Sequence, residues 1–581
     1  MFVGGRYFRI AILGGLLLLL IGTVGACAGD DDSTQETQAQ PAAAQSASST
    51  ESISSAAAAQ LAAWPDDGMP QYGGQFRTHF SDLPSLTIMD NVPAGADAYA
   101  AKTHSTLTWW DFTTDYGTYK VPTPHVAKSW DISGDGTVWT FNLRDDVTFH
   151  DGTPLTSADV KATLEHFLNP GDLGPPGRSY VQPYVNTVET PDPYTVILNL
   201  KGPTAVLPLA LATTWVSIVS EKDLAKGFDW FKTNENGSGP WIFDKDEWDK
   251  GISYQFSAYP DNFEKGLPFL DTYKAFVISG VGPMTAAFET KRIDDVRAPS
   301  VKQTNEIMKK HSGVEAIEFP GLGITWVQLN VKIPPFDDPL VRKAVYYWLD
   351  RDDFLQKGAQ GRGYISEWIN PDAYKDANGV GYGTSLKDLE KNHLAFNPDK
   401  TAARKLAKEL LAEAGLDPGT VTVRVVTPES ANDTVLVGQL EAMGFKVSYE
   451  VVERAASKEA YRSGDFGADV YGSVVSFPAP EGFLNRHLSP KGQRNYTGIE
   501  DPKLQKMIDA VNVTVDANKR RQLLNNIDQY LQEGTYPMIL LRMGQTSYLR
   551  WDYVRGRKHM FPTLNAKDDR IWLKDHAPGR N

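Results

Sequence analysis

Residues 124–160 read PHVAKSWDISGDGTVWTFNLRDDVTFHDGTPLTSADV, and this stretch decides how the rest of the chain is interpreted. From Val138 to Leu143 the apolar and polar side chains alternate, which predicts a half-buried β-strand. The preceding Gly134-Asp135-Gly136 supplies residues that tolerate positive φ, as a tight turn requires. We therefore expect a β-hairpin, followed by a second turn at Asp151-Gly152.

A helix is predicted directly after that second turn. Thr156 with Asp159 three residues later forms the pattern of a capping box. Val160, Leu164 and Phe167 then recur at the spacing of one helical face. The whole passage thus reads as hairpin, turn and helix.

The same string closely resembles the signature of the family 5 extracellular solute-binding proteins, the peptide- and nickel-binding receptors of ABC importers. The matching segments are Val126–Trp130, Asp135-Gly136, Val138–Arg144 and Phe149–Val160. The resemblance implies an α/β, two-lobed periplasmic binding protein-like fold of class II, the large peptide-binding type with an extra subdomain in lobe 1.

Two further segments resemble motifs of this family. Asn236 to Trp241 (NGSGPW) is similar to a glycine-rich turn that in relatives lies near the hinge and cleft. Val327 to Ala344 is similar to a strand, a proline-rich loop and a helix, with Val341, Ala344 and Val345 on the face that we expect to be core.

The C-terminal half alternates between predicted helices and strands. Asn397 is the expected N-cap of a helix from Pro398 to Gly415, with Ala402, Leu406, Leu410 and Ala414 on its inward face. Further elements are a strand 421–427, a helix 433–443, a strand 445–452 and a long helix 516–534. This order is typical of a second Rossmann-like lobe.

The N-terminus predicts export and attachment to a membrane. Arg6 and Arg9 precede the apolar run 11–21, which is too short for a permanent span and reads as a signal peptide. Val24-Gly25-Ala26-Cys27 resembles a bacterial lipobox, which implies lipidation of Cys27, the one cysteine of the chain. The alternative is an ordinary secretory peptide in which Cys27 is incidental.

Together these patterns predict the domain organisation. Residues 28–63 contain no aromatic side chain, and the segment cannot bury enough apolar surface to fold. The predicted parts are a lipoprotein signal peptide at 1–26, a disordered tether at 27–63, lobe 1 at 64–118 with 230–318 and 545–581, an extra subdomain of lobe 1 at 119–229, and lobe 2 at 319–544.

Composition and motifs exclude several other classes of function. The formal net charge of −14 argues against a nucleic-acid partner, because phosphate binding requires a basic surface. Asp131, Ser133 and Asp135 have the opening rhythm of a calcium loop, but Asn142 stands at the twelfth position, where a glutamate is required. There is no HExxH pattern, phosphate loop or nucleophile elbow, so we expect no metal, no cofactor and no catalysis.

The ligand is less well defined than the family. In peptide-binding relatives an Asp neutralises the α-ammonium of the peptide, and in this chain Ser476 occupies that position, with Ser473 replacing a Trp. A buried ammonium without an anionic partner would cost several kcal/mol as an order of magnitude. Glu481 is the alternative partner, from a nearby turn.

Aromatic residues offer a second way to hold a solute, by stacking on a sugar or another neutral group. With Trp 14, Tyr 24 and Phe 25 the chain has an ample supply, and Trp109 is a further candidate, although core packing is the competing role for each. The predicted cleft-lining residues are Trp110, Trp215, Trp326, Ser476, Phe477 and Tyr496.

We therefore expect a monomeric solute-binding lipoprotein of an ABC importer, at the periplasm or the outer face of the bacterial membrane. Its partners would be a peptide or similar oligomeric solute and the permease and ATPase subunits. The alternatives are an oligosaccharide receptor, a receptor that only senses its solute, and a lipid-anchored surface hydrolase using two cleft carboxylates.

Overall fold

The computed structural model describes residues 68–88, 96–109, 123–169, 177–371, 374, 380–428, 430–474, 479–492, 494–557 and 568–580. Its strands are, in chain order, β1 (Gln75–Phe80), β2 (Thr108–Trp109), β3 (Thr123–Pro124), β4 (Ala127–Ile132), β5 (Val138–Leu143), β6 (Val185–Asp192), β7 (Thr195–Leu200), β8 (Trp241–Asp249), β9 (Ser253–Ala258), β10 (Thr272–Val277), β11 (Asp295–Arg297), β12 (Val314–Leu329), β13 (Thr422–Thr427), β14 (Lys446–Val451), β15 (Ala468–Val474), β16 (Met538–Trp551), β17 (Val554–Arg555) and β18 (Trp572–Leu573).

The α-helices in the same ranges are Ala96–Thr103, Ser157–Leu168, Arg178–Val181, Leu207–Leu211, Glu221–Leu224, Phe228–Phe231, Val281–Glu289, Val301–Lys310, Pro339–Trp348, Arg351–Asp353, Leu386–Asn392, Thr401–Glu413, Ala431–Met443, Arg454–Ser463, Glu481–Phe483, Pro502–Val513 and Ala517–Gln532. Short 3₁₀ turns are Thr214–Val216, Leu394–Phe396, Pro418–Thr420 and Pro578–Arg580, and π turns are Phe354–Gly358 and Leu484–Leu488. No helix within the described residues combines the length and apolar character that crossing a bilayer demands.

The predicted hairpin is confirmed. β4 and β5 pair antiparallel, and the side chains of Trp139, Phe141 and Leu143 are buried while those between them are half-exposed. The Asp135 carboxylate accepts a 3.0 Å bond from the Thr137 N–H, and Gly136 has a φ of 74° that favours glycine. The local alternation therefore sets both the strand and the face that it buries.

The predicted helix after the second turn is also confirmed, as Ser157–Leu168. The Thr156 N–H donates to the Asp159 carboxylate over 2.8 Å, as in a capping box. Val160, Leu164 and Phe167 are buried on one face. The second oxygen of Asp159 accepts from the Glu221 N–H over 2.9 Å, so the cap also connects the helix to a distant segment.

Lobe 1 contains two complete four-stranded sheets that share one hydrophobic core. The first has the order β1-β10-β9-β8, with β1 parallel to β10 and the other pairs antiparallel. The second is antiparallel with the order β4-β5-β7-β6 and contains the hairpin. Phe76, Phe141, Trp241 and Tyr273 belong to the same buried cluster, so burial of one apolar volume joins the two sheets.

The sheet β11-β16-β12-β15 is shared by both lobes, and its lobe 2 half has a buried core on each face. Alternate side chains of β12 go to opposite cores: Val327 and Leu329 to one, Ile324 and Trp326 to the other. The neighbouring strand Met538–Trp551 is buried on both faces in the same way, and for this reason it begins with the continuous apolar run MILL. β13, the helix Ala431–Met443 and the parallel strand β14 form the predicted α/β alternation.

Two long strands connect the lobes. β12 begins at Val314 in the core of lobe 1 and ends at Leu329 in a core of lobe 2, and β16 runs back from Ile539 to Leu549. Their register shifts between Pro320 and Ile324, where residues 321–323 of β12 stand opposite the single residue 544 of β16. An interruption of this kind removes ladder hydrogen bonds at the point where the chain passes between the cores.

One predicted helix start was wrong. The helix begins at Thr401 rather than Pro398, since the Asn397 side chain accepts from the Asp399 N–H over 2.9 Å and the Asp399 carboxylate from the Thr401 N–H over 3.0 Å. Two successive side-chain turns therefore precede the helix, and each competes with a helical backbone.

The predicted inward face of that helix is confirmed at Leu406, Leu410 and Ala414, which are buried or pack against the core, and is wrong at Ala402. Ala402 is exposed and Leu406 is half-buried, and the buried residues are Ala403, Ala407, Leu410 and Leu411. The predicted C-terminal end is close to the observed one, with Gly415 at φ 66°. The long helix Ala517–Gln532 is capped by Asp516, whose side chain accepts from the Lys519 N–H over 2.7 Å, and it buries Leu524, Ile527 and Leu531.

Candidate functional site

A cavity of about 580 Å³ lies between the two lobes. We call it the interlobe cavity. Lobe 1 contributes residues that directly precede β6 and directly follow β7, and lobe 2 contributes residues between 481 and 491 and the helix Pro502–Val513. The lining residues are Tyr180, Pro183, Tyr184, Lys201, Gly202, Pro203, Thr204, Glu481, Gly482, Asn485, Arg486, Ser489, Lys491, Gln505, Asp509, Asn512 and Val513.

The lobes touch at one edge of this cavity. The Ala205 N–H donates to the carbonyl of Asn512 over 3.4 Å. The side chains of Asn485 and Asn512 exchange amide hydrogen bonds of 3.0 and 2.8 Å, which hold the helix Pro502–Val513 against the turn that carries Asn485. Both lobes therefore contribute to the volume, and a change in their separation would change it.

The buried carboxylate of the cavity is Glu481, whose side chain is 0% exposed. Its Oε1 accepts from the Arg520 guanidinium over 2.6 Å, and Arg520 also donates to the Tyr382 hydroxyl over 3.2 Å. Arg520 thus already provides the positive charge that a solute ammonium would bring. The alternative in which Glu481 replaces the missing Asp is disfavoured by this ion pair.

Two arginines of lobe 2 are joined through their backbones, and one of them lines the cavity. Arg486 lines it, and the Arg494 N–H donates to the Arg486 carbonyl over 3.1 Å. The Arg494 guanidinium donates to the Ser473 hydroxyl over 3.1 Å, at the position where the resemblance places a tryptophan. Burial lowers the pKa of Arg486 below its ordinary value, and the charge of Arg494 lowers it further.

An aromatic cluster surrounds His487, the residue that directly follows Arg486. The Trp326 ring is 0% exposed and packs on Trp368, Tyr471 and His487 at centroid distances of 5.6, 5.1 and 5.1 Å. Trp326 is therefore a core residue of lobe 2. Core packing was the alternative to the predicted cleft-lining role of this residue. Burial lowers the pKa of His487 well below its usual value, so its imidazole is neutral.

Tyr496 lies at the edge of the same cluster and is half-buried. Its ring contacts Tyr461 at 5.9 Å and Tyr471 at 5.7 Å. This leaves part of the Tyr496 side chain accessible, so its predicted contact with a solute stays a prediction.

Trp215 and Trp109 are half-buried residues of lobe 1. Trp215 lies in the turn Thr214–Val216, with its carbonyl against Gly177, and packs on the core of lobe 1. Trp109 pairs with His125 at 5.0 Å. The other predicted site residues, Trp110, Ser476, Phe477 and Cys27, lie outside the described residues.

The two family motifs of lobe 1 are bonded to each other. The His150 N–H donates to the Gly237 carbonyl over 2.7 Å, and the Asp151 N–H donates to the Asn236 side chain over 3.1 Å. The His150 ring lies 3.0 Å from the Gly239 carbonyl and 3.3 Å from the Glu235 carboxylate. These motif residues therefore join the hairpin subdomain to the main sheet of lobe 1 rather than lining the interlobe cavity.

The described residues show no metal-binding group of three or more His, Cys, Asp or Glu side chains. The apparent calcium loop is a turn, since the Asp135 carboxylate accepts from the Ser133 hydroxyl over 2.6 Å and from the Thr137 N–H over 3.0 Å. The Asp135 oxygen that the calcium pattern suggested as a ligand is therefore engaged in the hydrogen bonds of this turn.

Sequence reasoning missed the buried ion pairs of lobe 1. Lys102 and Asp568 pair over 2.9 Å with both side chains 1% exposed, and Arg557 pairs with Asp295. They attach the C-terminal segment to the helix Ala96–Thr103 and to β11. No sequence signal points to them, because the partners are hundreds of residues apart.

The family model that describes the middle region of bacterial extracellular solute-binding proteins, family 5, matches residues 121–495. This match spans more than half of the chain. The chain belongs to this family. As a family 5 solute-binding protein it has the two-lobed periplasmic binding fold, and the sequence resemblance is confirmed.

Curated relatives are consistent with this assignment. The family 5 protein is 26% identical, over 62% of its length and 68% of the relative, to a probable peptide ABC transporter periplasmic-binding protein of Sinorhizobium fredii. It is 24% identical, over 68% of its length and 74% of the relative, to a probable D,D-dipeptide-binding periplasmic protein of Escherichia coli.

Solved structures share the fold. A periplasmic binding protein of Helicobacter pylori in complex with the peptide STSA aligns with a TM-score of 0.70 at 21% identity, covering 87% of this chain and 99% of that one. An Agrobacterium protein in complex with agropinic acid aligns with a TM-score of 0.68 at 23% identity, covering 87% and 99%. The fold therefore holds both peptide and non-peptide solutes in other proteins.

Proposed function

We propose that this protein captures a peptide or a similar oligomeric solute between its lobes and delivers it to the permease of an ABC importer. The observation that carries the proposal is the interlobe cavity, which both lobes line, next to the two-strand connection with its break in register. A solute that contacts both walls stabilises the closed arrangement, and the closed form then differs from the open form in the surface that it presents to the permease.

The core assignments support the predicted lobe boundaries. Core membership along β12 changes between Val314 and Ile324, and along β16 it changes between Met543 and Leu549. We propose that lobe 2 comprises 319–544 and that the remaining body, including the subdomain 119–229, is lobe 1.

Peptide is the favoured solute class because relatives carry peptide-binding names, and a peptide offers backbone groups to both walls. An oligosaccharide is the second candidate, favoured by the half-buried Trp215 and Tyr496, which retain accessible aromatic surface. Release of co-purified solute by denaturation, followed by mass spectrometry, decides between them. Recovery of sugar oligomers without peptide would contradict the peptide assignment.

A surface hydrolase is the rival from another class. Of the two carboxylates that line the cavity, Glu481 is engaged by Arg520, and Asp509 accepts from Gln505 over 2.7 Å. We propose binding without bond cleavage. Incubation of the protein with the recovered solute tests this, since conversion of that solute to fragments would contradict pure binding.

We also propose that Cys27 carries a lipid anchor and that the chain works as a monomer at the outer face of the membrane or in the periplasm. Metabolic labelling with an alkyne fatty acid in the native host should label the wild type and not Cys27→Ser.

Delivery to the importer is tested with the reconstituted permease and ATPase, which solute-loaded protein should stimulate. A receptor that only senses its solute would give no transport.

A further inference from the structure

The wall that lobe 1 contributes to the interlobe cavity comes from the extra subdomain. Its residues precede β6 or follow β7, and both strands belong to the subdomain sheet β4-β5-β7-β6. Within the described ranges, no residue of the main lobe 1 sheet β1-β10-β9-β8 lines this volume. A solute held here would therefore contact the subdomain 119–229 rather than the main sheet of lobe 1.

The two walls of the cavity differ in chemistry. The subdomain wall contains two tyrosine rings and two proline rings, those of Tyr180, Tyr184, Pro183 and Pro203. The lobe 2 wall contains side-chain amides and a hydroxyl, those of Asn485, Gln505, Asn512 and Ser489. The volume of about 580 Å³ lies in the range of about 300–1,000 Å³ that ligand pockets occupy. Rings on one side and hydrogen-bonding groups on the other fit a flat segment of an oligomer, which packs by its face and bonds by its edge.

Tyr184 has bonding capacity that the protein itself does not use. Its side chain is half-buried and lines the cavity, and its hydroxyl makes no hydrogen bond within the described part of the chain. Burial, together with the charge of Glu481 from the opposite wall, raises the pKa of Tyr184, so the hydroxyl keeps its proton and can donate it. A ligand could therefore contact both the ring and the hydroxyl of this residue.

The subdomain wall is held at the boundary between the lobes. Residues 201–204 line the cavity, and the next N–H, that of Ala205, donates to the Asn512 carbonyl of lobe 2 over 3.4 Å. A Cβ atom on Gly136, in the hairpin turn, would lie 4.0 Å from the Val515 side chain of lobe 2. The wall thus stands where closing of the lobes would bring it onto a bound solute.

We propose that the extra subdomain selects the solute, because its tyrosine and proline wall binds a flat ring in one segment of the oligomer. This proposal rests on the proposed solute-binding function and adds the subdomain to the surfaces that recognise the solute. The ring has two possible sources, a proline or aromatic residue of a peptide and the pyranose ring of a sugar.

Gly202 allows the wall to be covered with little disturbance of the fold. It lines the cavity, it lacks a positive φ, and a Cβ atom there would meet no atom within 4 Å. Gly202→Leu therefore places a branched side chain without a ring beside the wall. The matched control is Gly282→Leu, which is also in open space on lobe 1 but lies outside the cavity.

Capture from defined mixtures tests the proposal. Purified protein, stripped of solute by unfolding and refolding, is mixed with one of three pools: pentapeptides that contain proline, phenylalanine or tyrosine, pentapeptides of glycine, alanine, serine and leucine, or linear glucose oligomers. Bound material is isolated by gel filtration and quantified by mass spectrometry. Circular dichroism confirms that each variant is folded.

We expect the wild type and Gly282→Leu to retain ring-containing peptides or glucose oligomers at least about tenfold better than ring-free peptides, and Gly202→Leu to lose this preference. Recovery of ring-containing peptides assigns the ring to a peptide, and recovery of glucose oligomers alone assigns it to a sugar. Equal recovery of ring-free peptides, or an unchanged preference in Gly202→Leu, would overturn the role of the subdomain while leaving solute capture intact. Recovery of nothing by the wild type from any pool would overturn the proposed capture function and the wall with it.

A second substitution examines the tyrosine directly. Tyr184→Leu should weaken binding of the recovered solute by about tenfold in isothermal titration calorimetry, since it removes both the ring and the free hydroxyl. The matched control is Tyr194→Leu, a half-buried tyrosine of the same subdomain that does not line the cavity, which should bind as the wild type does. Equal affinities of the two folded variants would contradict the assignment of Tyr184.

Discussion

At the residue scale, burial decides how the charged groups of lobe 2 behave. Glu481 is fully buried beside Arg520, and Asp528 is buried beside Thr384 and Gln532, whose side chains donate to it over 2.7 and 2.8 Å. The first carboxylate has a cationic partner. The second has neutral donors, and burial raises its pKa to about 8. The two carboxylates therefore respond differently to substitution and to pH.

Replacement of Arg520 by methionine should destabilise the protein by about 3–5 kcal/mol, because it leaves the buried Glu481 charge without its cation. Urea unfolding followed by tryptophan fluorescence measures the change. Arg462→Met, which removes an exposed arginine 3.9 Å from Glu459, should cost less than about 1 kcal/mol. A similar loss in both variants would show that the Glu481–Arg520 pair has no special role.

Asp528 predicts a pH-dependent stability. Its pKa of about 8 in the folded protein lies above the ordinary carboxyl value of about 3.9. At a pH between these two values the folded state therefore holds a proton that the unfolded chain has lost. The stability that this proton provides is complete below the unfolded pKa and is lost as the pH rises through the folded pKa. Between these values the slope is at most about 1.4 kcal/mol per pH unit.

The test compares Asp528→Asn with the wild type at several pH values between 5 and 9. The asparagine variant should gain stability relative to the wild type as the pH rises, and the gain should level off near pH 8. Asp509→Asn, at an exposed position of the same lobe, serves as the control for the loss of one carboxylate. A pH-independent difference for Asp528→Asn would contradict the raised pKa.

At the scale of elements, close backbone approach explains the glycine-rich segment NGSGPW. A Cβ atom on Gly237 would lie 1.7 Å from the Thr103 carbonyl oxygen, and one on Gly239 would lie 2.4 Å from the Lys102 carbonyl oxygen. The segment thus packs directly on the end of the helix Ala96–Thr103. The glycines are required by contact with this helix, and the hydrogen bonds from His150 and Asp151 then fix the segment to the hairpin subdomain.

Gly237→Ala should therefore destabilise lobe 1 by about 3 kcal/mol, because the backbone of Thr103 has no room to move away. The matched control is Gly438→Ala in the exposed face of the helix Ala431–Met443, where a Cβ meets no atom within 4 Å. This control should stabilise by about 0.5–1 kcal/mol. Thermal melting of both variants gives the comparison, and a Gly237→Ala protein as stable as the wild type would refute the packing argument.

At the scale of the whole molecule, the connection of the lobes by β12 and β16 predicts a change of shape on binding. The register break places Gly323 and Gly544 side by side, where a Cβ on Gly544 would lie 3.3 Å from the Gly323 carbonyl oxygen. Small residues at this point allow the two strands to bend relative to each other. We expect each lobe to keep its own core while the connection deforms.

Small-angle scattering should show a smaller radius of gyration for solute-loaded protein than for stripped protein. Gly544→Val should weaken solute affinity by about tenfold, since a branched side chain crowds the bending point and raises the free energy of the closed form. Gly282→Ala, in open space on lobe 1, should leave affinity and contraction unchanged. Identical scattering with and without solute would contradict closure.

Much of the fold was predictable because its signals are local. The alternation in β5, the cap and apolar face of Ser157–Leu168, and the order of elements from 421 to 451 all arise within a few residues of one another. The helix after Asn397 shows the limit of such reasoning. Competing side-chain turns at Asn397 and Asp399 delay its start, so that Ala402, which was predicted to face the core, lies exposed in the first turn.

The hairpin and most helix and strand positions follow from the sequence, because periodicity and capping depend on neighbouring residues, and the motif resemblance supplied the family and the expectation of two lobes. The folded structure was needed to show that Glu481 pairs with Arg520, that Trp326 is a core residue, and that Arg486 lines a cavity between the lobes. These contacts join segments far apart in the chain, and their energies come from burial and charge in three dimensions, which no local pattern encodes.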